Sequence, residues 1–124
     1  MKTTKDSCIF CKILKGEAPG KLEYITDNWA TLEPKEKVSN GHILIIPTSH
    51  CEDILDLTNE QAMEELGEVL QRVSKEQIEK YDAEGINILN ANKESAQQSV
   101  FHLHFHIIPR YKDDNLDLWI REKL

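Results

Sequence analysis

Long apolar runs are missing from this 124-residue sequence: nothing approaches the ~18 consecutive apolar residues of a membrane-spanning helix, and no apolar signal core follows the charged residues 1–7. Basic residues are outnumbered. Fifteen Lys and Arg against 22 Asp and Glu leave a net charge of −7, which argues against a grip on a polynucleotide backbone. It leaves room for one small anion held by local donors. Cysteine is scarce and odd in number: Cys8, Cys11 and Cys51 fit badly with a closed disulfide framework, so a reducing, cytoplasmic setting is the expectation. No linker, low-complexity block or fixed-period repeat is present. The length fits one domain over residues 1–124, with a core at 7–110 and a C-terminal tail at 111–124.

What is there is a series of short strands around one long helix. Residues 7–16 read as a turn entering a short helix, stopped by Gly16 and Pro19-Gly20. Two strands, 22–26 and 29–32, flank a hairpin signal at Asp27-Asn28. After a polar loop from Pro34 to Gly41, the β-branched run 42–47 has the pattern of a strand buried in mid-sheet. Residues 52–57 suggest one helical turn. The spacing predicts a helix over 59–81, with Thr58 as N-cap and Gln61 completing a capping box. Met63, Leu66, Leu70, Val73, Ile78 and Tyr81 form its apolar, core-facing stripe. Strands at 86–90 and 100–109 follow, separated by a polar loop over 92–99, and Leu116, Leu118, Trp119 and Ile120 are apolar anchors in the tail. This is an α+β domain with an antiparallel sheet.

Histidine is the residue to follow: His42, His50, His102, His104 and His106. Three of them alternate with apolar residues in His102-Leu103-His104-Phe105-His106. On a strand the three imidazoles share one face at ~6–7 Å spacing, and Phe101, Leu103, Phe105 and Ile107 share the other. Imidazoles are poor core filler, because each buried ring nitrogen needs a partner. An exposed polar face, a metal centre on two or three imidazoles, and nucleophilic catalysis by one imidazole oriented by the others all fit the alternation. No carboxylate follows the triplet at close spacing, which weighs against a catalytic metal.

Cys8-Ile9-Phe10-Cys11 is a C-x-x-C, the spacing of a redox pair or of half a metal site. No predicted strand precedes it, as a thioredoxin-like pair would need. Structural zinc takes four N or S ligands. With no second C-x-x-C, the two missing ligands should be histidines, and His50 and one member of the triplet are available. Two buried, unligated cysteines are the alternative. Cys51 is read as a bystander.

Taken together these motifs resemble the histidine triad (HIT) superfamily, in its Hint-like and bacterial branch with a zinc site. The signature His-φ-His-φ-His-φ-φ, with φ apolar, stands as His102-Leu103-His104-Phe105-His106-Ile107-Ile108. Gln98-Ser99-Val100, Pro109-Arg110, Gly41-His42 and the opening Cys8–Ile13 stretch extend the match over nearly the whole chain.

The resemblance implies a homodimer of five-stranded antiparallel sheets. It also implies a nucleotide-binding hydrolase or transferase acting at the α-phosphorus of a nucleoside 5′-phosphate derivative. By position, His104 is the nucleophile that forms a nucleotidyl-imidazole, supported by His106 and His42, with Ser99 donating toward the leaving group. Ile9, Phe10, Ile13 and Glu33 match the base and ribose pocket, and Asn92 and Gln98 lie at the phosphate. Cys8, Cys11, His50 and His102 match the ligands of a structural Zn2+. The partner is a purine nucleotide or its derivative, with no nucleic-acid polymer and no membrane. The alternative is a non-catalytic nucleotide-binding adaptor of the same fold. The chain departs from the family at Ala91, where Asn is usual, and at Lys93 and Gln97, where glycines are usual.

Overall fold

The computed structural model describes residues 4–120. Helix α1 (Ile9–Leu14) leads to β1 (Leu22–Tyr24), β2 (Trp29–Leu32) and β3 (Ile43–Pro47). A 3-10 turn (Ile54–Asp56) precedes the long helix α2 (Glu60–Tyr81). Strand β4 (Gly85–Leu89), a second 3-10 turn (Glu94–Ala96) and β5 (Phe105–Arg110) complete the order. The five strands form one sheet ordered β1-β2-β3-β5-β4. Every neighbouring pair is antiparallel. This is the expected α+β, HIT-like architecture.

Each face of the sheet is covered by a different helix. Alternation along β2 shows the division: Trp29 lies in the cluster with Ala62, Val69 and Val73 of α2, whereas Ala30 and Leu32 pack with Phe10 and Cys11 of α1. Trp29 is fully buried and its indole N–H donates to Ala62 O at 2.9 Å, fixing the start of α2 on the sheet. Ile45 and Ile107 are fully buried on the α2 side. Truncating either to Ala would cost about 2–5 kcal/mol through lost burial and the cavity left behind.

Several local expectations shift. The N-cap of α2 is Asn59, not Thr58: its side chain accepts from Ala62 N at 3.0 Å, because it begins the α2 turn one residue later. The buried positions of α2 are Ala62, Val69, Val73 and Gln77, while Met63 is half exposed. Of the predicted stripe, Val73 is buried and Leu66 and Leu70 pack against the same core, while Met63 turns outward. Strand β4 begins at Gly85, one residue early. Trp119 and Ile120 are largely exposed instead of anchoring the tail. The last four residues of that tail, 121–124, lie outside the described residues.

The largest correction concerns the last strand, which starts at Phe105 and not at Val100. Residues 100–104 bend away from the ladder because their polar groups bond elsewhere: Leu103 N donates to Cys51 O at 2.7 Å, and the His102 ring reaches Pro47 O at 2.9 Å. The side chains still alternate between faces: Leu103, Phe105 and Ile107 lie in the α2-side cluster, while His102 and His104 pack on Phe10 of α1. Because both faces are covered, His102, Leu103 and His104 are buried in succession, and Phe101 is half exposed.

Candidate active and metal sites

The histidine segment feeds two separate clusters. In the first, Cys8 caps the start of α1, its sulfur accepting from Cys11 N at 3.4 Å, so the C-x-x-C turns both sulfurs to one side. His102 Nδ1 lies 3.3 Å from Cys8 Sγ and 3.6 Å from Cys11 Sγ. His50 Nδ1 lies 3.4 Å from Cys11 Sγ. All four donor atoms fall within 4.8 Å of one another. A tetrahedral zinc with ~2.3 Å bonds to sulfur and ~2.0 Å to nitrogen needs separations of roughly 3.3–3.8 Å, so the donor set fits that ion in identity and size.

The tautomer of His102 fits too. A carbonyl only accepts, so Nε2 carries the proton donated to Pro47 O, and the Nδ1 lone pair is left for a metal. Burial pushes the Cys11 thiol up to about 11 and His102 down to about 4.

The second cluster is His42, His104 and His106. Gly41 places His42 at the start of β3 with φ +86°, and a Cβ there would meet the Tyr81 ring at 2.6 Å. His106 pairs in register with Leu44, whose side chain packs on the α1 side, so its ring joins that face.

Three hydrogen bonds fix the protons. Val38 N donates to His42 Nδ1 at 3.1 Å, so the proton of neutral His42 sits on Nε2. His42 Nε2 is 2.9 Å from His106 Nδ1 and donates to it, which leaves the His106 proton on Nε2. His104 Nδ1 donates to His102 O at 2.9 Å, leaving Nε2 as an unprotonated lone pair. Burial lowers the pKa of His42, His104 and His106, the last to about 4, so all three rings are neutral at pH 7. The His104 and His106 ring centres are 5.1 Å apart. Phe10 packs edge-on against His102 and His104 at 5.5 Å each, forming the wall between the two clusters.

Other sequence candidates are distributed unevenly. Ile13 is partly buried against the α1-side cluster, and Ile9 is half exposed. Glu33 pairs with Lys37 and Lys21 and lines a cleft of about 620 Å³ with His42, Arg72 and Glu76.

Ser99 is exposed. The side-chain amides of Asn92 and Gln98 are engaged as braces. Asn92 accepts from Ile54 N at 2.7 Å and donates to Asn90, while Gln98 accepts from Lys93 N at 2.7 Å and donates to Glu52 O at 2.6 Å. Asn90 donates to His104 O at 2.9 Å. Lys93 and Gln97 hold φ of +80° and +72°, angles at home in glycine.

The family model described as HIT domain matches residues 15–113. The chain belongs to the HIT family. A protein named hit from Bacillus subtilis is 38% identical over 106 residues, covering 86% of this chain and 72% of that protein. An adenosine 5′-monophosphoramidase of Candida albicans is 33% identical over 119 residues, covering 92% of this chain and 76% of its own. The crystal structure of a zinc-bound histidine triad protein from Mycobacterium smegmatis superposes with a TM-score of 0.81 at 34% identity, over 90% of this chain and 81% of the other. This HIT protein shares its fold with a zinc-binding relative and carries a complete Cys2His2 donor set. No helix among the described residues is long and apolar enough to cross a membrane.

Proposed function

We propose that this HIT protein hydrolyses a nucleoside 5′-phosphate derivative at its α-phosphorus through a covalent nucleotidyl intermediate on His104. The observation that carries the reading is the hydrogen bond from His104 Nδ1 to His102 O, which leaves a neutral imidazole with its Nε2 lone pair free. The likeness to an adenosine 5′-monophosphoramidase supports a phosphoramidate as the substrate and AMP as the product.

In the first step Nε2 bonds to phosphorus while the bond from phosphorus to the leaving nitrogen breaks; that nitrogen keeps the electron pair, takes a proton relayed from water through Ser99 Oγ, and departs as a neutral amine. In the second step a water oxygen bonds to phosphorus, the Nε2–P bond breaks with its pair returning to nitrogen, and the water proton is released. The His42–His106 hydrogen bond directs the His106 Nε2–H outward as a fixed donor for a phosphoryl oxygen. Ser99, at the exposed rim, donates toward the leaving group.

Phe10, Ile9 and Ile13 offer an apolar surface that takes a purine without selecting one. Glu33, matched to the ribose contact, pairs with Lys21 and Lys37 and lines a cleft that His42 also lines. Zinc, when bound by Cys8, Cys11, His50 and His102, supplies a cross-link and no open coordination position for water.

A homodimer completes the proposal. Strand β4 is a sheet edge, and Ile88 on it and Met63 on α2 are each about half exposed. Sedimentation at micromolar concentration is expected to give twice the chain mass.

The test of mechanism is AMP release from adenosine 5′-phosphoramidate. His104→Asn is expected to abolish it while AMP binding by calorimetry persists. AMP binding by the wild-type protein with no turnover of phosphoramidate, adenylate or dinucleoside polyphosphate would instead make it a nucleotide-binding adaptor.

A further inference from the structure

The loop between β4 and β5 contains a lysine in a backbone conformation that belongs to glycine. Lys93 has φ +80° and ψ 159°, where the Cβ of an L-residue is crowded by its own main chain. Two contacts hold it there. Its N–H donates to Gln98 Oε1 at 2.7 Å, and its ammonium lies 2.8 Å from Asp53 Oδ2. The two ends of this ion pair differ. The Asp53 side chain is only 3% exposed, and its other oxygen accepts from Leu55 N and Asp56 N at the start of the first 3-10 turn. The Lys93 side chain is 60% exposed. The buried carboxylate is therefore the fixed post, and the lysine is tied to it.

The same post-and-loop arrangement reaches the nucleophile. Residues 51–54 follow directly on His50 and carry the loop through Gln98 to Glu52 O and through Asn92 to Ile54 N. Asn92 in turn donates to Asn90, and Asn90 donates to the carbonyl of His104. The backbone shape at Lys93 thus sets where residues 98–100 lie relative to His104.

We infer that the Asp53–Lys93 ion pair is a positioning device that substitutes for a glycine, holding the loop in the shape the reaction at His104 needs. The inference rests on the proposed phosphoramidate hydrolysis for its kinetic readout. It requires a conditional behaviour: Asp53 matters only while residue 93 carries a side chain. An ion pair that merely adds stability has no such condition.

The experiment is a double-mutant cycle in the full-length, zinc-loaded protein, with adenosine 5′-phosphoramidate turnover and amide hydrogen exchange of residues 92–99 measured on each variant. Lys93→Met and Asp53→Asn are each expected to lower kcat about tenfold, with KM changed less than about threefold, because a misplaced loop loses transition-state contacts before ground-state binding. Lys93→Arg should restore kcat to within about twofold of wild type by remaking the pair. In the Lys93→Gly background, Asp53→Asn should have no further effect on kcat or on loop exchange. An equal Asp53→Asn effect in the Lys93 and Lys93→Gly backgrounds would overturn the inference, as would a Lys93→Met protein with wild-type kcat and wild-type exchange. If the wild-type protein turns over no phosphoramidate, the exchange cycle alone decides: conditional dependence on Asp53 upholds the positioning pair while the hydrolase reading fails.

Discussion

His102 and His104 are separated by one leucine, come from one motif and are both buried, yet they present opposite nitrogens. His102 donates from Nε2 to Pro47 O and turns Nδ1 to the cysteines. His104 donates from Nδ1 to His102 O and keeps Nε2 free. In each case a backbone carbonyl chooses the tautomer, and in the proposed function the tautomer suits the chemistry: a metal donor in one, a nucleophile toward phosphorus in the other. The lesson is that the division of labour lies in the acceptors around the rings, since the rings are identical.

The sharpest way to break this comparison is to remove each ring in turn. His104→Ala is expected to lower kcat by about 10⁴-fold or more with little loss of stability, and His102→Ala to release the metal and destabilise the fold while chemistry per folded molecule persists. Stopped-assay turnover, zinc content and thermal unfolding on the same preparations separate the two. Equal loss of turnover with no loss of zinc in both variants would erase the distinction.

Metal removal tests the same division without mutation. A strong chelator should lower stability by several kcal/mol, on the order of 3 or more, as for a closed structural site. At a temperature where the metal-free protein remains folded, turnover should stay within a few-fold. Instant and complete loss of turnover in still-folded protein would place the metal in the chemistry.

A smaller effect is expected at His42. Its Nε2–H aims the His106 ring, so His42→Ala should lower kcat about 10- to 100-fold with little change in zinc content. Rescue by a side chain that retains a donor, such as His42→Gln, would mark the loss as one of orientation.

Acidity probes both clusters at once. All five histidines are held below their ordinary pKa, in each case first by burial. A depressed folded-state pKa means that the unfolded chain takes up protons first as pH falls. Stability from these rings is therefore fully present above pH ~6.5 and is lost as pH falls toward about 4, with His106 alone worth about 3 kcal/mol over that window. Denaturant unfolding between pH 7.5 and 4 should trace the decline. The least effect belongs to Ser99: as an exposed donor, Ser99→Ala should cost about 5-fold in kcat, read most clearly on substrates with poor leaving groups.

Much of this was legible before any coordinates. The β-branched run at 43–47, the hairpin around Asp27-Asn28 and the periodic helix to Tyr81 appear close to where they were expected. The Cys8, Cys11, His50 and His102 set, reached by counting ligands and by resemblance, is the set the fold gathers. The ion pairs of Glu33 with Lys21 and Lys37 were not legible, because they depend on how the chain turns after Leu32. The hydrogen bonds of Asn92 and Gln98 to the main chain at 52–54 were not legible, since those partners lie about 40 residues away in sequence. Lys93 stood out in the sequence as a departure from glycine, but its partner Asp53 and the bond from Asn90 to His104 O had no signal, because each joins atoms about 14–40 residues apart.

The sequence by itself determined the family, the sheet with its long helix, and the residue types at both centres, because periodicity, Cys spacing and the triad are local and additive along the chain. Only the tertiary structure decided which nitrogen each histidine offers and which main-chain groups the loop amides reach. Hydrogen-bond acceptors such as Pro47 O and His102 O are backbone atoms common to every residue. Their identity carries no information until folding places one of them beside a particular ring.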